Sequence, residues 1–404
     1  MKRITLGLEE ALRLTLEGIK PLRAENVALV DSIDRVAASD LNSLVDSPSV
    51  DASLKDGFAV VSQEVARATS EKPVPLRLLG SMAAGGEQDL QVTPGTTVKV
   101  LTGARIPFGA DAVVSGEFAK EGDGSVRIGT FAERGRNILL RGSDVAIGQR
   151  IIGRGEQISP GMAGLLAAAG QSVVPVFVNP VVGIVGTGDE IVEPGKPLAE
   201  GKLYASNILT LAGWCNRYKM APRLTIVKDD HDAMLKVLGT LCNETDAVLT
   251  SGGAWMGDRD MMAGVFKELG WKEVFHWIRI GPGKAVGFGL LNDKPVFILP
   301  GGPSSNLMAF LQIALPGLLT LAGHAKPSLP GLKARLASDL RGHDPAWTDF
   351  FFGALQFEDE LPTFHPLKTL SRLRSIAGAN AVASIPEGHD HLPKGSTAYV
   401  QLLT

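Results

Sequence analysis

Three short stretches combine glycine with groups suited to binding anions: "VGTGDE" at 185–190, "LTSGGAWMGDRD" at 249–260 and "LPGGPSSN" at 299–306. Each follows an apolar run and precedes a helix-like segment, so each is expected to leave a strand and enter a helix. Glycine lets the backbone approach a ligand closely and adopt positive φ. Free N–H groups where such turns enter helices attract phosphate and other oxyanions. Gly188, Gly252, Gly253 and Gly301 provide that backbone, and Ser251, Ser304 and Ser305 add hydroxyl donors. One such turn commonly just reverses the chain. Three within one segment point to an anionic, phosphate-bearing ligand.

The acids near these turns need a separate reason. Asp189, Glu190, Asp229, Asp230, Asp258 and Asp260 all fall at or near strand ends. Carboxylates beside an anion site repel the ligand unless a hard cation bridges them, and Mg²⁺ joins carboxylates to substrate phosphates. Glu190 and Asp260 are therefore expected to act through a divalent cation. Asp229-Asp230 precedes a helix-like segment, so one of the pair serves as its cap and the other meets metal or substrate. Asp229 is grouped with the catalytic residues and Asp230 with the metal ligands. Lys284, in "GPGKAVGFG", is the cation best placed to neutralise an anion. The seven histidines are scattered; "HDH" at 389–391 sits in a loop, and no Ser-His-Asp order emerges.

The elements that must hold these turns alternate. Strands are expected at "VVGIVG", "RLTIV", "DAVLT" and "PVFIL", and helices near 206–220, 231–243, 260–269 and 304–322. That alternation predicts a parallel sheet with helices on both faces, whose ligands sit at the carboxyl ends of its strands. Upstream, Leu8, Leu12, Leu16 and Ile19 share one helical stripe. Residues 46–148, with short runs such as "TTVKVLTG" and "GSVRIGTF", read as a small β domain, and 158–170 as a short helix. Residues 326–404 read as a second β domain.

Composition narrows the classes. At 404 residues, two to four domains are expected. A formal charge of −3 argues against a general nucleic-acid footprint. Two cysteines, Cys215 and Cys242, supply no disulfide framework, which fits a reducing cytoplasm. The start, "MKRITLGLEEALRL", has acids where a signal peptide needs an apolar centre. Residues 161–186 lack charges, but Pro175, Pro180 and several glycines break them, so they read as buried core with no membrane partner.

Taken in order, these turns resemble the MoeA/gephyrin family of molybdopterin molybdenumtransferases. The resemblance covers essentially the whole chain. "PSVDASLKDGFAV" at 48–60 is similar to the family's D-x-S-x-x-D-G-[YF]-A signature. "LTGARIPFGADAVV" at 101–114, "RGSDVAIGQRII" at 141–152, "GTGDEIVEPGKPL" and "PGKAVGFG" also resemble family segments.

The resemblance implies a multidomain α/β plus β fold. A molybdopterin-binding three-layer α/β domain is expected from 1–27 and 180–325, and a linking domain from 28–45 and 149–179. Residues 46–148 would be an inserted β domain and 326–404 a C-terminal β-barrel. It implies a homodimer whose cleft lies between the α/β domain of one subunit and the inserted domain of the other. It implies insertion of molybdate into adenylylated molybdopterin with Mg²⁺ and release of AMP. Hand-over to other molybdenum cofactor biosynthesis proteins or to apo-molybdoenzymes would follow.

By the resemblance, Asp56, Thr102, Asp144, Glu190, Asp229 or Asp230, and Asp260 match functional positions. Asn207 would lie near the pterin, Ser251, Gly252 and Gly253 near the phosphate, and Gly188 and Asp189 would also bind the cofactor. Pro300 and Pro303, with Gly301 and Ser304 on the same turn, would line the oxyanion site. Departures cluster there. "GPGK" stands at 281–284 where K-P-G-K is common, with Trp277 or Arg279 at a second basic position; Gly302 and Ser304 stand where Asn and Val are usual. They imply two alternatives: a tungstate-preferring homologue, or a gephyrin-like scaffold that binds pterin without turnover. Restoring a lysine at 281 is expected to tighten oxyanion binding.

Overall fold

The structure is a computed structural model and describes residues 5–86, 88–252, 261–357, 360–367 and 372–403. Near-continuous apolar runs build the central sheet. In the order Ala221–Val227, Val181–Thr187, Ala247–Ser251, Lys294–Leu299, Gly287–Leu291, Lys272–His276, six strands pair side by side. The first four run parallel and the last two antiparallel. The four runs expected to be strands are the parallel ones. The antiparallel pair at the edge was not anticipated, because "WKEVFHW" and "GFGLL" lack clear alternation.

Side chains on successive strand residues point to opposite faces, and both faces are apolar. On one, Val182, Ile184, Leu249 and Phe297 pack with helices Leu8–Gly18 and Ser206–Arg217 and the buried run from Pro303 to Leu321. On the other, Val185, Val248, Val296 and Ile298 pack against helices His231–Glu244 and Met261–Glu268. This makes the three-layer unit. The run Pro303–Leu321 is long and apolar enough to cross a membrane, but 83% of its most apolar window is buried within this core.

Register sets where the turns emerge. Gly186 lies opposite Ser251 and Ile226, and Ser251 lies opposite Leu299. The three strands that precede the glycine turns are neighbours and end at one edge. The chain order reverses beside Val181–Thr187, which opens a crevice there.

Outside this unit, Gly57–Val60, Val74–Met82, Thr96–Val100, Ala112–Ser115, Ala119–Gly122 and Ser125–Ile128 form a curled sheet. Ala24–Ala28 pairs with Val173–Phe177, and Leu41–Asn42 with Arg150–Ile152. Beside them lies helix Pro160–Ala168, capped by the Ser159 hydroxyl. Near the C-terminus, Thr348–Gln356, Thr363–Pro366, Gly331–Leu336, Thr397–Leu402 and Ala381–Ile385 close into a five-stranded barrel. Ile280 and Gly281 pair in parallel with Thr348 and Asp349, which ties the α/β unit to the barrel.

Candidate active site

The first two turns touch directly. Gly252 has φ +108°, and a Cβ there would lie 2.7 Å from Thr187 Oγ1 and 2.8 Å from Thr187 O. Glycine is needed for both conformation and space. The third turn follows closely: a Cβ on Gly301 would sit 3.7 Å from Gly252 Cα. Gly188 has φ +138°, and the carboxylate of Glu190 folds back over the space a Cβ would take.

Ser251 joins all the parts. Its Oγ accepts from Asn207 Nδ2 (3.0 Å) and Asn306 Nδ2 (3.2 Å). The other proton of each amide goes to a backbone carbonyl, Gly301 O for Asn207 and Pro300 O for Asn306, both at 2.8 Å. A carbonyl only accepts, so these contacts set the orientation of both amides. A serine hydroxyl has two lone pairs and one proton. With both lone pairs engaged, the proton is left to donate. Ser251 lines a cleft of about 660 Å³. The N–H of Gly252 is already given to Leu299 O (3.2 Å). The Ser251 hydroxyl is therefore the donor that the described part of this turn offers a ligand.

The cleft also holds Thr187, Glu190, Asn207, Gly252, Gly301 and Pro303. Leu198, Leu203, Tyr204 and Leu373 give it an apolar wall although all are exposed. Leu203 and Tyr204 are held by a short parallel pairing with Ile191 and Val192, and Lys202 Nζ donates to Asp189 O at 2.8 Å. Among the described lining residues, Glu190 is the one acid and Arg372 the one cation.

Other expected residues lie elsewhere. Asp230 caps helix His231–Glu244 by accepting from Ala233 N–H at 2.8 Å, which identifies the cap of the Asp229-Asp230 pair. Lys284 is exposed, and its Nζ stands 5.9 Å from the centre of the Trp277 ring. Trp277 packs against the same core as Met261, the first residue of the helix that follows the second turn. Asp56 Oδ1 accepts from Thr102 N–H (2.7 Å) and Thr102 Oγ1 (2.8 Å). These two bonds, the backbone one first, hold its carboxyl below the ordinary range. The two residues are thus joined, but neither lines the cleft of its own chain. Nor does Asp144, whose N–H donates to Ser47 O at 3.0 Å. Ser304 lines a smaller neighbouring cavity. Gly253, Asp258 and Asp260 lie outside the described residues. Among the described residues no three acids, histidines or cysteines come together as a metal cage.

A larger cavity, about 750 Å³, lies between the N-terminal helix and the barrel, and no residue of the three turns lines it. Arg279 lies there. It donates to Ala346 O (2.8 Å), Thr5 O and Glu387 (2.9 Å), so it is committed to structure.

A lysine cannot simply be restored at 281. A Cβ on Gly281 would collide with Asp349 Oδ1, and Asp349 is only 5% exposed. A lysine there would have to displace that carboxylate, at a cost in stability that is separate from any effect on oxyanion binding.

Sequence reasoning missed Asn306, Leu203, Tyr204 and Arg372. The "PSSN" run held the signal for Asn306, and the apolar "LY" in a charged loop that for Leu203 and Tyr204. Arg372, distant in sequence, gave none.

Residues 6–170 match the family model for the MoeA N-terminal region (domain I and II), and 183–320 match that for a probable molybdopterin binding domain. The chain is 30% identical to the molybdopterin molybdenumtransferase of Bacillus subtilis, with 100% of this chain and 95% of the relative covered. It is 29% identical to the Nostoc protein of the same name, covering 91% and 86%. The solved molybdopterin biosynthesis MoeA protein of Pyrococcus horikoshii OT3 is similar at a TM-score of 0.83 and 28% identity, over 98% of this chain and 99% of that one. Matched end to end in sequence and in fold, the chain belongs to the MoeA family of molybdopterin molybdenumtransferases.

Proposed function

We propose that this chain inserts molybdate, or tungstate, into adenylylated molybdopterin and releases AMP. The observation that carries this is Ser251, whose lone pairs are both engaged so that its proton is offered to the cleft. A phosphate oxygen is the acceptor such a donor suits. The apolar wall of Leu203 and Tyr204 would take the pterin, and the Asn207 amide would fix the strand-end turns around the phosphate. Lys284, which is not among the described residues lining the cleft, would add positive charge from outside it. Chemistry of this kind needs positioning and charge stabilisation more than a protein nucleophile.

Glu190 fits a hard cation: its carboxylate lines the cleft and makes no hydrogen bond or ion pair among the described residues. Glu190 would hold Mg²⁺ together with Asp260 and one of Asp229 and Asp230. Mg²⁺, when bound, would offset the charge of the phosphates.

A cytoplasmic homodimer would complete the site. Asp56, Thr102 and Asp144 lie outside the cleft of their own chain, so they would act on the cleft of the second copy. The product would pass to later cofactor-assembly proteins or to apo-molybdoenzymes.

The test is AMP release from adenylylated molybdopterin, with and without Mg²⁺, as molybdate or tungstate is titrated. Saturable, oxyanion-dependent release is expected. Tight nucleotide binding with no release under any condition would mark a non-catalytic scaffold instead.

A further inference from the structure

Two features near the third turn belong together. Gly281 and Gly342 both leave room for the buried carboxylate of Asp349, whose Oδ2 accepts from His343 N–H at 2.8 Å. A carboxylate beside position 281 disfavours a dianion on that side. On the other side, a Cβ on Gly302 would lie 3.4 Å from Arg372 Nη1. The guanidinium therefore reaches the third turn, in space that a larger residue at 302 would contest. Arg372 lines both the 660 Å³ cleft and the adjoining cavity of about 220 Å³, whose wall includes Pro282, Ser304 and Phe350. Among the described residues it forms no ion pair or hydrogen bond, and it is exposed.

We propose that Arg372 is the oxyanion-binding residue of this chain, an assignment that rests on the transferase function above. Its fork of donors stands where the pterin cleft meets the small cavity. A planar guanidinium binds a tetrahedral dianion through two parallel N–H···O bonds. The Ser304 hydroxyl on the same wall gives a third donor. The cation absent at 281 is thus supplied from the barrel side, so molybdate or tungstate would bind between the α/β unit and the barrel.

The test separates binding from turnover. Equilibrium dialysis of molybdate and of tungstate against wild type, Arg372→Gln and Arg372→Lys reads oxyanion binding without any reaction. Arg372→Gln is expected to weaken both anions by at least about tenfold, with Arg372→Lys recovering part of the loss. Adenylylated molybdopterin affinity, measured without oxyanion, should change by less than about threefold. Equal oxyanion binding by wild type and Arg372→Gln would overturn the assignment. So would a loss confined to the nucleotide, which would make Arg372 a pterin-pocket residue. Unchanged thermal unfolding of Arg372→Gln is the fold control. If wild type binds oxyanion through Arg372 yet releases no AMP, the transferase function fails while this assignment stands.

Discussion

Replacing Ser251 with alanine removes the one hydroxyl that joins three segments of the cleft. Asn306 is 1% exposed and Ser251 3%, so water cannot easily replace the lost acceptor. One buried amide proton of Asn306 is left without a partner, at a cost of about 1–3 kcal/mol of stability. Asn207 is half-buried, so water can serve its freed proton. Binding loses one hydrogen bond to a charged phosphate, about 1.5–3 kcal/mol, or roughly ten- to a hundredfold in affinity. The assay is anaerobic titration calorimetry with adenylylated molybdopterin, alongside urea unfolding. Thr250→Val is the control. Thr250 is fully buried and its hydroxyl has no partner among the described residues, so a methyl group there should leave binding unchanged and stability no lower. Wild-type affinity in Ser251→Ala would refute the idea that this hydroxyl donates to the ligand.

Gly281→Lys should lower stability by about 1–3 kcal/mol through overpacking against Asp349, seen as a fall in Tm; an unchanged Tm would contradict the close approach. Mixing Asp56→Ala and Glu190→Ala chains should restore part of the activity in verified heterodimers, because one intact composite cleft can form; no recovery would count against a shared site. Lys284→Ala, a change at an exposed position, should leave unfolding within about 0.5 kcal/mol yet lower kcat/KM for AMP release by roughly tenfold, a fraction of the interaction between close charges; equal kinetics would make it an ordinary loop lysine. Burial pushes the thiols of Cys215 to about 12 and Cys242 to about 11. Both pKa values are raised on folding, so the neutral thiols favour the native state below pH 9, and that contribution fades as pH climbs toward those values. At pH 8 neither should react with a thiol reagent until denaturant is added.

The α/β unit was legible because its strands are apolar runs separated by glycine turns and amphipathic helices. Parallel register then brings Gly188, Ser251 and Gly301 to one edge, as expected of turns that leave neighbouring parallel strands. Asp56 and Thr102 were singled out separately in sequence and meet through two hydrogen bonds. The role of Asp229-Asp230 stayed open in sequence, since either residue can cap; the Ala233 N–H selects Asp230. Position 281 read as a missing charge, whereas the space beside it belongs to Asp349, a barrel residue 68 positions away. Arg372 was illegible for the same reason. Its place depends on how the barrel docks on the α/β unit, and local residue patterns do not encode that contact.

Metal transfer itself is tested most directly in a single turnover. Adenylylated molybdopterin, molybdate and Mg²⁺ are mixed with excess protein, and AMP released and molybdenum retained on the pterin are counted in the same sample. One molybdenum retained for each AMP released is the result predicted. AMP release without metal on the pterin, or nucleotide held intact in the cleft, would contradict the proposed transfer.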